Sequence, residues 1–415
     1  MLFKQEFTEH WSNAQKITFR FLFAYVSLFI LLLFTQTLLQ APLRWFADSI
    51  LGWGGQFEMK STGSGDMTSH YVVLAFNAFL AIAVGLAWSI FDRKRPSYNK
   101  LFYWFQVILR VFLFNIMIVY GFGKIFKGQF PDPSLVRLLE PVGAMSPMGL
   151  AWTFMGHSFA YNIFIGLAEV IGGVLLLYRR TITIGSIVIM GVMINVAMMN
   201  FTYDIPVKIL STHLILMALL LFLADSKRII NLFFRNKAVE SVTHYLPYNK
   251  RMKTFISVIK VLVLFIIVGT VTVQSMAKFD ITDQLKMDSK FYGIWEVDQF
   301  KKNNETLPPL LGDSYRWRYL ILDKKQTAVA KKMNDSLVRY QFEDQSERNL
   351  VVLRITKPDT ISYKLNVRFI TSEKMELNGT LASDTISMIL HRKPMSEFEL
   401  LNRKFHWVNE YPYNK

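Results

Sequence analysis

The stretch AYNIFIGLAEVIGGVLLLY, Ala160 to Tyr178, decides how this chain is read. It is apolar and long enough to cross a bilayer, since roughly 20 apolar residues span the hydrocarbon. Glu169 sits near its middle. A charge there costs about 2.5–3.5 kcal/mol on insertion scales, so such a residue faces a bundle interior and pairs with something. Two roles are open to it. Glu169 is either a carboxylate that moves a proton or a buried partner of Arg110 or Lys124 that holds helices together.

The rest of the chain supports the membrane setting. Apolar residues make up 52% of it, aromatics 15% and charged residues 19%. Seven runs are long enough to span or nearly so, at about 18–40, 70–91, 101–123, 158–178, 181–200, 207–224 and 254–277. Residues 1–277 hold 24 Lys/Arg against 12 Asp/Glu, whereas residues 278–415 hold 23 against 19, an ordinary soluble balance. The basic residues cluster in alternate loops. Four segments hold 17 of them, and the intervening segments hold six. By the positive-inside rule the N-terminus is cytoplasmic and everything after the seventh span is outside. The net charge of +16 is thus a topology signal, and no nucleic-acid partner is expected. Ser226 to Ser241, SKRIINLFFRNKAVES, mixes basic and apolar residues at helical spacing. It suits either the inner membrane surface or the bundle.

Other chemistry is excluded or unsupported. Without cysteine there are no disulfides, CxxC redox pairs, iron–sulfur clusters or covalently attached haem. The seven histidines are scattered with no H-x-x-x-H pair, so no metal site is expected. There is no glycine-rich phosphate loop and no hydrolase triad.

The orientation gathers polar residues in the outer half of the membrane. Tyr120 and Lys124 lie at the outer end of the third span, on one face. Asn162, Gly166, Glu169 and Gly173 form one stripe on the fourth. The fifth span ends outward with Asn195 and Asn200, Asp204 and Lys208 lie in the next connection, and His213 is one and a half turns into the sixth. Together they would line an outward pocket for a quinone headgroup or a small polar substrate. Glu169 and His213 would then relay a proton, with Lys124 as counter-charge. The plainer alternatives are a packed, hydrogen-bonded His213, a snorkelling Lys124 and close helix packing at Gly172 and Gly173.

Two resemblances rest on these residues. Leu109 to Asp225 resembles the DoxX family of four-helix bacterial membrane proteins. The carrying residues are Arg110 with Tyr120-Gly121-Phe122-Gly123-Lys124, then Leu167-Ala168-Glu169-Val170-Ile171-Gly172-Gly173, then the helix from His213 to Asp225. The resemblance implies a redox-linked membrane subunit, with quinone as cofactor and redox proteins as partners. Residues 285–415 hold about eight short strands with turn punctuation, which predicts a small antiparallel barrel or sandwich. Gly293-Ile294-Trp295 resembles the G-x-W signature of lipocalin-like barrels. That resemblance implies that Trp295 closes the barrel bottom and that a late arginine, Arg403, packs over it. It also implies a small lipophilic ligand.

The expected organisation is an N-terminal tail with two spans (1–108), a DoxX-like core (109–225), a basic segment with the seventh span (226–277) and an outer β-domain (278–415). Three functions suit it. One is a quinone-linked oxidoreductase subunit of a bacterial cytoplasmic membrane. Another is a non-catalytic lipid- or partner-binding membrane protein. The third is an enzyme similar to the vitamin K-dependent carboxylases, with Lys124 as base.

Overall fold

Long apolar runs become helices because lipid cannot satisfy backbone N–H and C=O groups. In the computed structural model, which describes residues 10–239 and 250–414 apart from residues 54, 56, 61, 285, 286, 288, 289, 346, 348, 357–359, 382 and 404, each predicted run lies in a helix. In chain order these are α1 (Asn13–Thr35), α2 (Gln40–Phe46), α3 (Thr68–Phe91), α4 (Asn99–Ile125), α5 (Leu135–Leu138), α6 (Pro147–His157), α7 (Phe159–Leu175), α8 (Ile182–Thr202), α9 (Lys208–Ala224), α10 (Ser226–Ile229) and α11 (Lys250–Gln284). The strands are β1 (Gly293–Lys302), β2 (Glu305–Thr306), β3 (Trp317–Lys324), β4 (Thr327–Lys332), β5 (Leu337–Gln345), β6 (Leu350–Thr356), β7 (Thr360–Thr371), β8 (Lys374–Leu381) and β9 (Asp384–Arg392), before a last turn of helix, α12 (Glu399–Asn402).

Among the described residues, four helices are long and apolar enough to cross a membrane. Six spans result if the bent pairs α6–α7 and α9 with Ser226–Phe234 each count as one. The chain is therefore a membrane protein. The expected seventh run falls in α11, where the apolar part is Leu264–Ala277 and many side chains lie outside the described set.

The chain divides into two units. Met1–Gln129 and Phe159–Ser275 form the first, and Phe130–Ser158 joins Met276–Lys415 in the second. Within the first, polar contacts sort the helix ends into two groups. Trp11 donates to the Pro96 carbonyl, and the buried Arg20 donates to Tyr98 Oη and the Asp92 carbonyl. Arg179 donates to Tyr103, and Thr183 to Asp225. At the other ends Gly65 donates to the Pro206 carbonyl, and Asp66 accepts from the backbone of Lys208 and Ile209. The strongly basic loops all fall in the first group.

The second unit is a closed eight-stranded antiparallel barrel. From β3 to β9 each strand pairs with the next, β1 pairs with both β3 and β9, and the short β2 pairs antiparallel with the end of β1. Closure removes the exposed edges that an open sheet would offer for aggregation. Lumen-facing residues alternate with outward ones. Trp295, Phe300, Trp317, Leu320, Leu365 and Met388 pack inside. Ile294, Tyr319, Ile321 and Val329 point outward yet are buried, because Leu135 with Val136, Leu138 and Leu139 covers them. Two polar contacts fix that cover: Leu135 N–H donates to Asp323 (3.2 Å), and Lys331 Nζ donates to the Leu139 carbonyl (2.9 Å). The sequence assigns residues 130–158 to the 109–225 core, but they pack with the barrel.

The barrel bottom matches the G-x-W expectation in part. Trp295 is fully buried and donates to the Phe291 carbonyl at 2.8 Å. The arginine over it is Arg392, whose guanidinium lies 4.7 Å from the ring centroid and donates to the Lys290 carbonyl. This corrects the assignment of Arg403, which lies over Tyr413 and donates to Asn409. Barrel closure explains the difference, since it sets Trp295 opposite Arg392 in the ladder. Gly293 is needed twice here. Its φ is +142°, and a Cβ would press against the Arg392 side chain at 3.3 Å. Arg392→Ala is expected to cost about 1–2 kcal/mol, the worth of a desolvated cation–π contact. It should lower the thermal midpoint followed by near-UV circular dichroism, and Arg403→Ala should leave that midpoint where it is.

Candidate functional site

Glycine lets α4 and α7 touch. A Cβ on Gly121 would sit 2.7 Å from the Gly166 carbonyl oxygen, and one on Gly166 would sit 2.6 Å from that of Gly121. Gly173 lies against Met117 of α4, and Gly172 against Ile189 and Val188 of α8. The Gly172-Gly173 pair thus lets α7 pack closely on both sides. Such contacts carry helix association in lipid, where apolar side chains gain nothing by leaving the solvent.

At this crossing Lys124 Nζ donates to both Glu169 oxygens at 2.8 Å. Both side chains are buried, 6% and 2% exposed. The ammonium also lies 5.4 Å from the Tyr120 ring centroid. Arg110 does not join them. It donates to the Leu176 and Leu177 carbonyls (2.6 and 2.8 Å), where it satisfies the otherwise open C-terminal end of α7.

His213 is held elsewhere. Its Nδ1 is 2.7 Å from the Ile209 carbonyl, so that nitrogen carries the proton, and Nε2 accepts from Tyr25 Oη at 2.8 Å. Its ring stacks on Phe29 at 3.8 Å between centroids. Asn162 is buried on α7, whereas Asn195 is exposed on α8. Lys208 pairs with Asp204 at 2.9 Å and lies 4.0 Å from Asp66. Six of the polar candidates thus separate into three groups: Tyr120, Lys124 and Glu169; His213 with Tyr25; and a surface pair of Asp204 and Lys208.

Sequence reasoning missed several residues. Asp66 accepts from two N–H groups in the first turn of α9 (2.7 and 3.1 Å) and so caps a helix about 140 positions away, which no local pattern announces. Asn77 is fully buried, donates to the Tyr25 carbonyl and leaves its own Oδ1 without a hydrogen bond. Its place in an apolar run was the available signal.

A second cluster lies in the barrel, toward the end away from Trp295. Tyr315 donates to Asp384 at 2.8 Å under the Lys302 ammonium, which is 4.2 Å from the ring centroid. Burial, with Asp384 beside it, pushes the Tyr315 phenol well up. Lys302 and the Tyr315 hydroxyl hold Asp384 below the usual carboxylate range. Tyr340 and Tyr363 face the lumen with centroids 6.2 Å apart. They are 6% and 8% exposed, and among the described residues neither hydroxyl has a hydrogen-bond partner. Burial, with Tyr363 nearby, pushes the Tyr340 phenol up to about 12.

Comparisons with known proteins reach part of the chain. No family model matches it. A stretch of 134 residues is 35% identical to a Bacillus subtilis (strain 168) protein described as uncharacterized protein YwoB. The chain belongs to the YwoB family. The match covers 83% of YwoB but 32% of this chain, so most of the molecule lies outside the YwoB-like stretch. No solved structure matches.

Two outcomes are expected. Glu169→Gln leaves a buried ammonium without its counter-charge and should cost about 3–5 kcal/mol, read as earlier heat-induced loss of the monodisperse peak in detergent. Lys124→Met combined with Glu169→Leu should recover most of it. A single variant as stable as the parent would remove the structural role. Alkaline pH tests the phenol. The tyrosine ordinarily titrates near 10 and here near 12. Its contribution to stability is therefore whole below pH 10 and lost as pH rises through 12. Tyr340→Phe should flatten that loss in a pH series of melting curves.

Proposed function

We propose that this chain is a non-catalytic binding protein of the bacterial cytoplasmic membrane, with a DoxX-like bundle over 109–225 as scaffold and the outer barrel as binding module. The lumen-facing Tyr340 and Tyr363 phenols, whose hydroxyls have no hydrogen-bond partner among the described residues, carry this reading. A small lipophilic ligand with one acceptor oxygen would suit this lumen, with its apolar body against Trp317 and Leu365 and its oxygen accepting from a phenol.

The membrane residues favour scaffolding over catalysis. A quinone-linked oxidoreductase would use Glu169 and His213 in one relay, yet Lys124 takes the first and Tyr25 the second. A carboxylase-like enzyme would need Lys124 free as a base, and its ammonium is chelated by Glu169.

Seven spans and an outside barrel agree with the way the second unit is built. Residues 130–158 and 276–414 fold together, so they share one side of the membrane. An even number of crossings must separate them. α7, α8 and α9 supply three, and α11 supplies the fourth. The basic loops then lie inside. Reporters inserted at Gly143 and fused after Lys415 should both be active outside only, and disagreement between them would break the topology.

Native mass spectrometry of gently extracted protein should show a retained small lipophilic molecule, reduced when Tyr340→Phe and Tyr363→Phe are combined. An empty parent protein whose double variant melts higher would mean a packed barrel with no ligand.

A further inference from the structure

Residues 141–157, PVGAMSPMGLAWTFMGH, contain no Asp, Glu, Lys or Arg, in a chain that is 19% charged. They are nonetheless surface residues of the barrel unit. Val142 is 67% exposed, Leu150 38% and Phe154 64%. On α6 the exposed positions are Pro147, Leu150, Phe154 and His157, whose spacings of three, four and three place them on one face. The opposite face is closed by protein. A Cβ on Gly156 would sit 2.1 Å from the Pro131 carbonyl oxygen, and one on Gly149 would meet the Arg137 guanidinium at 3.1 Å. Trp152 packs edge-on against Phe130 at 5.1 Å.

The helix also hides its polar groups. Ser146 caps its start by accepting from Gly149 N–H, and Thr153 turns its hydroxyl back to the Gly149 carbonyl. Single exposed apolar residues are normal on a soluble surface, but an exposed stripe within an uncharged segment marks a contact surface. Chain continuity says what that contact is. Only Ser158 separates α6 from α7, the apolar helix that begins at Phe159 and forms a bent candidate span with it. With α7 as the crossing part of that pair, the C-terminal end of α6 falls at the bilayer surface.

We propose that α6 is an interfacial helix, with the Leu150–Phe154 stripe and Val142 seated in the lipid headgroup–acyl boundary on the barrel's side of the membrane. Interfacial helices usually bring their own basic polar face. Here segment 130–137 takes that place, with Arg137 as its cation, ion-paired to Glu140 at 2.6 Å. The partner is the lipid surface itself.

The absence of native cysteine makes the test direct, because one introduced thiol reports one position. Leu150→Cys, Phe154→Cys and Val142→Cys, with Lys301→Cys on an exposed barrel strand as reference, would each carry an environment-sensitive fluorophore. The full chain would be reconstituted in phosphatidylethanolamine–phosphatidylglycerol vesicles. Emission at 142, 150 and 154 should shift to the blue relative to 301 and be quenched by doxyl-labelled lipid, while 301 responds to aqueous iodide. Iodide quenching at 150 and 154 as strong as at 301 would overturn the proposal. So would a blue shift without lipid quenching, which would mean that protein covers the stripe. If either helix variant fails to fold, Val142→Cys, in the turn before α6, decides by the same readings.

Discussion

A carboxylate and an ammonium can stay deep in a membrane only if each leaves water for the other. That condition governs the helical unit. Lys124 spans both oxygens of Glu169, so little charge remains uncompensated. The pair requires α4 and α7 to lie closer than ordinary side chains permit, and Gly121 and Gly166 provide that approach. The ion pair and the glycine crossing are one construction. A methyl group at either glycine would force the helices apart and leave two charges stranded in hydrocarbon. Arg110 completes it by binding the carbonyls where α7 ends.

Much of this was visible in the residues themselves. The apolar runs mark helices because lipid imposes both length and composition, and strict alternation marks strands such as β7. Glu169 announces a partner by its cost. Which partner it takes was not visible, since Arg110 and Lys124 sit on the same helix and only the crossing point separates them. His213 shows the same limit. Helical spacing places it in the outer half of its run, but its partner Tyr25 is 188 positions away. Arg392 was passed over for Arg403 because the ladder that brings it to Trp295 exists only once β1 meets β9.

Alternation failed most where both faces of the barrel are covered. Tyr319, Ile321 and Val329 are apolar strand residues, yet they point away from the lumen. Their cover, α5 and its neighbours, is a short run between prolines with no period of its own. The lumen alone would account for inward residues on every strand. The outward ones become explicable only with residues 135–139 laid across them, tied by Asp323 and Lys331.

That cover has a consequence for the order in which the molecule can be made. Leu135 and its acceptor Asp323 are 188 positions apart, and Leu139 and Lys331 are 192 apart. During synthesis the segment emerges well before any strand that it will cover. It must wait, uncharged and apolar in its later part, while the chain from α7 to α11 is made and the barrel closes. Contacts of such long sequence separation are slow to form, and exposed apolar chain is prone to wrong association in the interval. A membrane surface beside the waiting segment would give its apolar half somewhere to rest until the barrel arrives.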